Sequence, residues 1–213
     1  RSVSRGLGDV YKRQVCAYTS LAAMLGTDAE LEKTACCLLV DKEEIGSVGA
    51  TGMQSKFFEN VVAELISLEG DYNDLKLRRC LANSKMLSSD VNAGYDPLFA
   101  DAFEKKNASF CGRGVVFSKF TGSRGKSGSN DANAEYIAKL RKIMDDNNVH
   151  YQMAELGKVD VGGGGTIAYI MSLYGMEVID CGVAILNMHA PWEIASKADV
   201  YEAKKCYEAF LKN

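Results

Sequence analysis

The sequence predicts an α/β fold in which helices flank one mostly parallel sheet. Three observations predict it. Short apolar runs of strand length alternate with longer segments that are apolar at helical spacing. Several of the apolar runs end in an acidic or glycine-rich loop, as strands do when they lead into a helix. The chain of 213 residues, 47% apolar and 25% charged, has the length and balance of one ordinary globular domain.

Residues 1–14 (RSVSRGLGDVYKRQ) stand apart. They lack apolar periodicity and set Arg1, Arg5, Lys12 and Arg13 against Asp9 alone. With no apolar h-region they are not a secretory signal. They read as a disordered leader foreign to the protein, which leaves 15–213 as the domain. Residues 15–25 are apolar at helical spacing and stop at Gly26, a C′ glycine. Residues 35–41 (ACCLLVD) predict a buried strand. The loop after it holds Glu43 and Glu44 and runs through Gly46, Gly49 and Gly52. Residues 53–68 predict a helix with Phe57, Val61, Leu65 and Leu68 on its core face, and 71–83 a second helix.

A short strand over 85–90 ends in Asp90. Residues 114–120 predict a strand and 121–131 (TGSRGKSGSND) a Gly/Ser loop whose Ser129, Asn130 or Asp131 caps a helix over 132–147. That helix sets Tyr136, Leu140 and Ile143 on one side. Gly125-Lys126-Ser127 is not a P-loop, because position 120, where the first glycine belongs, is Phe. A strand over 150–155 precedes Gly162–Gly165 and a helix over 167–174 closed by Gly175. Consecutive glycines before a helix let backbone N–H groups approach an anion or a carbonyl, but no acid follows at the spacing of a ribose-binding residue. Residues 176–185 predict a strand, and 186–193 the loop that carries His189. The last helix, 197–211, has Ser196 as N-cap and Asp199 three residues on, the pattern of a shortened capping box.

Composition excludes several classes. A net charge of −3 offers no basic footprint for nucleic acid or an anionic membrane. No apolar run reaches the roughly 18 residues of a membrane span. The seven cysteines are odd in number and contain no C-x-x-C, so they read as reduced core residues of a cytoplasmic protein. With two histidines in the chain, a metal site here must lean on carboxylates. Glu43-Glu44, Asp90 and His189 follow three separate predicted strands. In an open sheet with strand–helix alternation those ends share one edge, where ligands bind.

The blocks DKEEIGSVGATGMQS, SSDVNAGYDP, SKFTGSRGKSGSND, VDVGGGGTIAYI and NMHAPWEIASKADV resemble, in that order, the C-terminal half of the catalytic domain of the M18 metallo-aminopeptidases. This is the aspartyl aminopeptidase family, and the wording is similar to its bacterial branch. The resemblance runs from about Val15 to the C-terminus. It implies a mixed-sheet, zinc-aminopeptidase-like α/β domain that releases single N-terminal residues from peptides with two divalent metal ions. These are zinc by family habit, with manganese or cobalt as alternatives. It implies Glu43 as general base, Glu44 and His189 as ligands of one metal and Asp90 as a ligand of the other. Lys119 corresponds to a substrate-contacting lysine, and the 162–165 segment, with Gly163 and Gly164, to a wall of the substrate pocket. It also implies a homo-oligomer.

The departures from the pattern carry expectations of their own. The family's metal-bridging aspartate falls where Lys12-Arg13-Gln14 stand, and its upstream histidine ligand and inserted dimerisation domain have no counterpart. The chain therefore reads as N-terminally truncated, binding metal weakly and with little or no activity as written. Two other readings compete with a truncated aminopeptidase. One is a non-catalytic structural subunit of an aminopeptidase-like oligomer. The other is an anion- or nucleotide-binding α/β domain built on the 162–165 glycines.

Overall fold

The computed structural model describes residues 9–123, 127–158 and 163–213. The element order is α1 (Asp9–Leu25), α2 (Phe57–Leu68), α3 (Asp74–Ala82), β1 (Lys85–Ser89), β2 (Asn92–Ala93), β3 (Val115–Ser118), β4 (Phe120–Ser123), β5 (Ser127–Asp131), α4 (Ala134–Asp146), β6 (Tyr151–Met153), α5 (Ala168–Ser172), β7 (Glu177–Gly182), β8 (Ala184–Leu186), β9 (Ile194–Ala195) and α6 (Lys197–Leu211). The central sheet has the order β1-β7-β3-β6. β1 lies parallel to β7 and β6 parallel to β3, while β3 and β7 are antiparallel, so the sheet is mixed, with parallel pairing predominant. A second small sheet joins β2, β8 and β9.

β7 is the spine because its alternating side chains feed both faces. Ile179 and Cys181 enter a core built with Phe117 of β3, Leu140 and Met144 of α4, and Cys206 and Tyr207 of α6. Val178 enters a separate core with Leu77 and Leu81 of α3 and Met171 of α5. The predicted core face of α4 is buried as its spacing requires. Ser196 caps α6, its Oγ accepting from the N–H of Asp199 at 3.5 Å. Half of the capping box is absent: the Asp199 carboxylate turns instead to the N–H groups of Gly112 and Gly114.

Four further expectations are corrected. Residues 35–40 are not a strand, and Asp41 forms only an isolated parallel bridge to Gly52. An apolar run specifies burial, and Leu38 and Val40 do pack on the second core, but a ladder also needs a neighbour with free backbone groups. No ladder forms on residues 35–40. The Gly/Ser stretch after β3 is a hairpin, β4 on β5, rather than a loop. It is pinned to the spine by side chains that ordinary β-propensity ignores: Asn130 Nδ2 donates to the carbonyl of Val178 at 2.9 Å. The cap of α4 is Asn133, with no side-chain cap bond, and not one of residues 129–131. Finally, α1 begins at Asp9, so residues 9–14 continue the helix instead of standing apart as disordered chain. Residues 1–8 lie outside the described residues.

The face of α2 is also reversed. Phe57, Val61, Leu65 and Leu68 point to solvent, Leu68 being 84% exposed, while Phe58, Val62, Ala63 and Ile66 meet the second core. The helix carries two adjacent apolar stripes, and periodicity cannot choose between them. On the packed orientation Glu59 reaches Tyr174, accepting from its Oη at 3.1 Å. Leu65→Ser is therefore expected to change stability by no more than about 0.5 kcal/mol, a small effect that urea unfolding would verify.

Candidate active site

Glu43 and Glu44 lie in a single 3-10 turn, Glu43–Ile45, in the loop that follows the 35–40 run. The loop is held by short-range bonds. Gly46 N donates to Glu43 O at 2.9 Å, Ser47 N to Lys42 O at 2.8 Å, and Gln54 Nε2 to Gly46 O at 2.7 Å. Lys42 and Ser47 both take positive φ (65° and 59°) without being glycine. Such backbone costs about 1 kcal/mol or more per residue, and it clusters where geometry serves function.

His189 is presented in the same manner. It follows β8 in a tight loop where Asn187 and His189 take φ of 58° and 67°. Its N–H donates to Glu193 Oε1 at 2.7 Å, and Glu193 is itself buried. This clamp turns the imidazole toward the acidic turn, leaving His189 Nδ1 3.9 Å from Glu44 Oε1. Asp90 follows β1, its Oδ1 accepting the N–H of Val91 at 2.8 Å. Its carbonyl is so close to β7 that a Cβ on Gly182 would stand 1.7 Å from it. Lys119, in the link between β3 and β4, is ion-paired with Asp131.

Below the acidic turn lies a carboxylate that sequence reading passed over. Asp180, on β7, stands in register with Ser88 of β1 and Ser118 of β3 and is almost fully buried. Its Oδ2 accepts from Thr121 Oγ1 at 2.8 Å, and its Oδ1 has no partner at hydrogen-bonding geometry among the described residues. Burial holds Asp180 above the usual carboxylate range. The facing hydroxyls of Thr166, Thr121 and Ser88 pull it back, and the charge of Glu43 pushes it further up. The signal was present in the sequence: a charge inside the apolar run of β7 is buried only with partners.

Glu155, just past β6, is the second acid not anticipated. Burial lifts it from the ordinary 4.5 to about 7, against the Phe120 N–H and Lys119, which favour its charged form. An acid raised in the folded state gives its full stability below its unfolded value. That stability is lost as pH rises from about 4.5 through about 7. With solvent screening of this partly exposed group allowed for, Glu155→Gln should gain roughly 1–2 kcal/mol on the wild type between pH 4.5 and pH 8. Urea midpoints at the two pH values measure it.

The glycine segment has a packing role. A Cβ on Gly163, whose φ is +107°, would stand 2.5 Å from the Gly122 carbonyl of the hairpin, and one on Gly164 3.2 Å from Leu156 Cδ2. Gly162 lies outside the described residues. The helix that follows, α5, has five residues and not the eight expected.

The structure thus brings Glu44 to His189, and the charge of Glu43 reaches Asp180. Two donors 3.9 Å apart lie within the span of one ion's shell, slightly wider than adjacent tetrahedral positions. Among the described residues, however, no group of three or more His, Cys, Asp or Glu could hold a metal ion. The side chains present supply part of a metal shell and do not complete one.

Comparison with known proteins gives this geometry its context. The sequence profile of the family described as Aminopeptidase I zinc metalloprotease (M18) matches residues 9–211. A protein of Clostridium acetobutylicum named probable M18 family aminopeptidase 1 is 62% identical over 213 residues, covering 100% of this chain and 45% of that protein. The crystal structure of an M18 aminopeptidase from Thermotoga maritima superposes with a TM-score of 0.90 at 40% identity, covering 95% of this chain and 45% of that one. The mApe1 dodecamer of Saccharomyces cerevisiae gives 0.76 at 25% identity, covering 95% and 44%. The chain therefore spans less than half the length of the relatives it matches. With nearly all of its own length inside the family profile, the chain belongs to the M18 family of aminopeptidase I zinc metalloproteases.

Proposed function

We propose that these residues serve a metal-dependent aminopeptidase that releases single N-terminal residues from peptides. The observation that carries the reading is the Glu44–His189 pair, 3.9 Å apart, held beside Glu43 on a strained turn. Glu43 is the general base: it accepts a proton from the attacking water and returns it to the leaving amine. Glu44 and His189 belong to one divalent ion and Asp90 to a second, zinc in each case, with manganese or cobalt as alternatives. The remaining ligands come from outside these residues. Lys119, Gly163 and Gly164 form the substrate wall.

The working protein is a homo-oligomer in the cytoplasm. The dodecameric yeast relative supports the first. The seven cysteines, all free thiols, support the second. Among the described residues no helix is long and apolar enough to cross a membrane.

A chimera tests the reading. Residues 15–213 are joined to the preceding portion of the C. acetobutylicum relative, in place of residues 1–14. With zinc or manganese the chimera is expected to cleave aminoacyl anilides at a rate comparable to that relative, and chain 1–213 alone to show little or no cleavage. A folded, metal-loaded chimera without hydrolysis would overturn the proposal in favour of a non-catalytic structural subunit.

A further inference from the structure

The β4–β5 hairpin has little to hold it in place by itself. A two-stranded hairpin is marginal in water, this one contains Gly122 and Gly128, which weaken strands, and its register shifts between Thr121 and Ser123. Two side-chain bonds tie it to the spine. Thr121 and Asn130 are cross-strand partners, both are buried, and both reach β7. Thr121 Oγ1 donates to Asp180 Oδ2 at 2.8 Å, and Asn130 Nδ2 donates to the carbonyl of Val178 at 2.9 Å. The two ties differ in what they demand. Any residue at 178 supplies a carbonyl, whereas the Thr121 bond requires an acceptor side chain at 180. A carboxylate there is costly to desolvate, and in return it accepts more strongly than a neutral group would.

The neighbours of Thr121 give its bond a consequence. Lys119 lies two residues before it, and the Lys119 carbonyl closes the base of the hairpin by accepting from Ala132 N at 2.8 Å. Gly122 follows it, and the glycine segment presses on the Gly122 carbonyl, so that a Cβ on Gly163 would stand 2.5 Å away. On the other strand a Cβ on Gly128 would stand 3.5 Å from the ring of Tyr169 in α5. Tyr169 Oη accepts from Gln54 Nε2 at 3.4 Å, and the same amide donates to Gly46 O behind the acidic turn at 2.7 Å. The hairpin thus lies between the spine on one side and the glycine segment and α5 on the other.

We propose that Asp180 is a positioning residue for the substrate wall: by accepting the Thr121 hydroxyl it fixes the hairpin that carries Lys119 and backs Gly163. The inference rests on the assignment of Lys119, Gly163 and Gly164 to that wall. Asp180 meets no substrate and acts through Thr121. With the bond made, the spacing between Lys119 and Gly163 is set by the sheet. With the bond lost, the Asn130 tie remains and the hairpin pivots on it. The wall then loosens while the main-chain bonds of the acidic turn and the Glu193 clamp on His189 are untouched. Substrate binding weakens and the chemical step is spared.

Two measurements test this. Amide hydrogen exchange in the full 1–213 chain reads local opening. Thr121→Val keeps the shape of the side chain and deletes the hydroxyl, and it is expected to speed exchange in β4 and β5 by roughly tenfold while β1 and β7 keep wild-type rates. Thr121→Ser should restore protection. In an Asp180→Ala background Thr121→Val should add nothing further, and the valine and serine variants decide the matter if Asp180→Ala does not fold. In the chimera, Thr121→Val should raise KM for an aminoacyl anilide by roughly tenfold with kcat within about twofold, and Thr121→Ser should stay near the starting values. Unchanged hairpin exchange in Thr121→Val, acceleration spread evenly over β1 and β7, or a fall in kcat at constant KM would each overturn the proposal. So would a KM raised by Lys119→Met and indifferent to Thr121→Val, which leaves the wall standing without this role for Asp180. A failure of the wall assignment looks different and takes the proposal with it: Thr121→Val speeds hairpin exchange, yet neither it nor Lys119→Met moves kcat or KM.

Discussion

Replacing Asp199 by alanine is expected to cost about 3–5 kcal/mol of stability, enough to leave a marginal domain largely unfolded. The residue is fully buried in the first turn of α6. Its two oxygens accept from Gly112 N at 2.6 Å and Gly114 N at 2.7 Å. Those N–H groups belong to the turn that delivers β3 into the sheet. Gly114 has no alternative geometry: its φ is +86°, and a Cβ would stand 2.1 Å from the His150 carbonyl. Alanine at 199 leaves two N–H groups without acceptors and removes a negative charge from a helix N-terminus. Asparagine, with one acceptor oxygen, should recover part of the loss. Urea unfolding followed by circular dichroism reads the series, and an Asp199→Ala variant within about 1 kcal/mol of wild type would show that the clamp is dispensable.

The same residue shows where sequence reading succeeds and where it stops. Ser196 was legible as a cap because the pattern is local, and α1, α4 and α6 were legible because their apolar spacing has one clear stripe. The destination of the Asp199 carboxylate was not legible, since it depends on a glycine turn 85 residues away in the chain. The 35–41 run failed for a related reason: apolarity announces burial, but strand pairing belongs to the neighbour. α2 failed because two apolar stripes compete, and the one that meets the second core carries Phe58, Val62 and Ile66. The hairpin was missed because glycine and serine disfavour strands, while bonds to β7 compensate.

The acidic turn and His189 stand out in the sequence because each follows an apolar run, and the structure places Glu44 Oε1 3.9 Å from His189 Nδ1. Asp180 and Glu155 were missed because attention to strand ends overlooks acids within or just behind them. Both are raised by burial.

Glu43→Gln in the chimera should lower kcat by roughly 10²–10⁴-fold with KM little changed, the range expected when a positioned general base is removed. The substitution is nearly isosteric, and the turn that holds residue 43 is closed by main-chain bonds, Gly46 N to Glu43 O at 2.9 Å and Ile45 N to Lys42 O at 3.3 Å. The amide should therefore occupy the place of the carboxylate without moving Glu44. Glu44→Gln makes the contrast. If, as proposed, Glu44 is a metal ligand, that change weakens a donor facing His189 across 3.9 Å, so its loss should be relieved in part by raising the zinc concentration, whereas the loss in Glu43→Gln should not. Adjacent residues on one turn would then separate into proton transfer and metal retention. If excess zinc rescued both variants alike, Glu43 would be a ligand and the base would have to be sought elsewhere. Asp180, buried below it and reached by the Thr121 hydroxyl at 2.8 Å, lacks the exposure to meet a peptide and could not take that place without the turn opening.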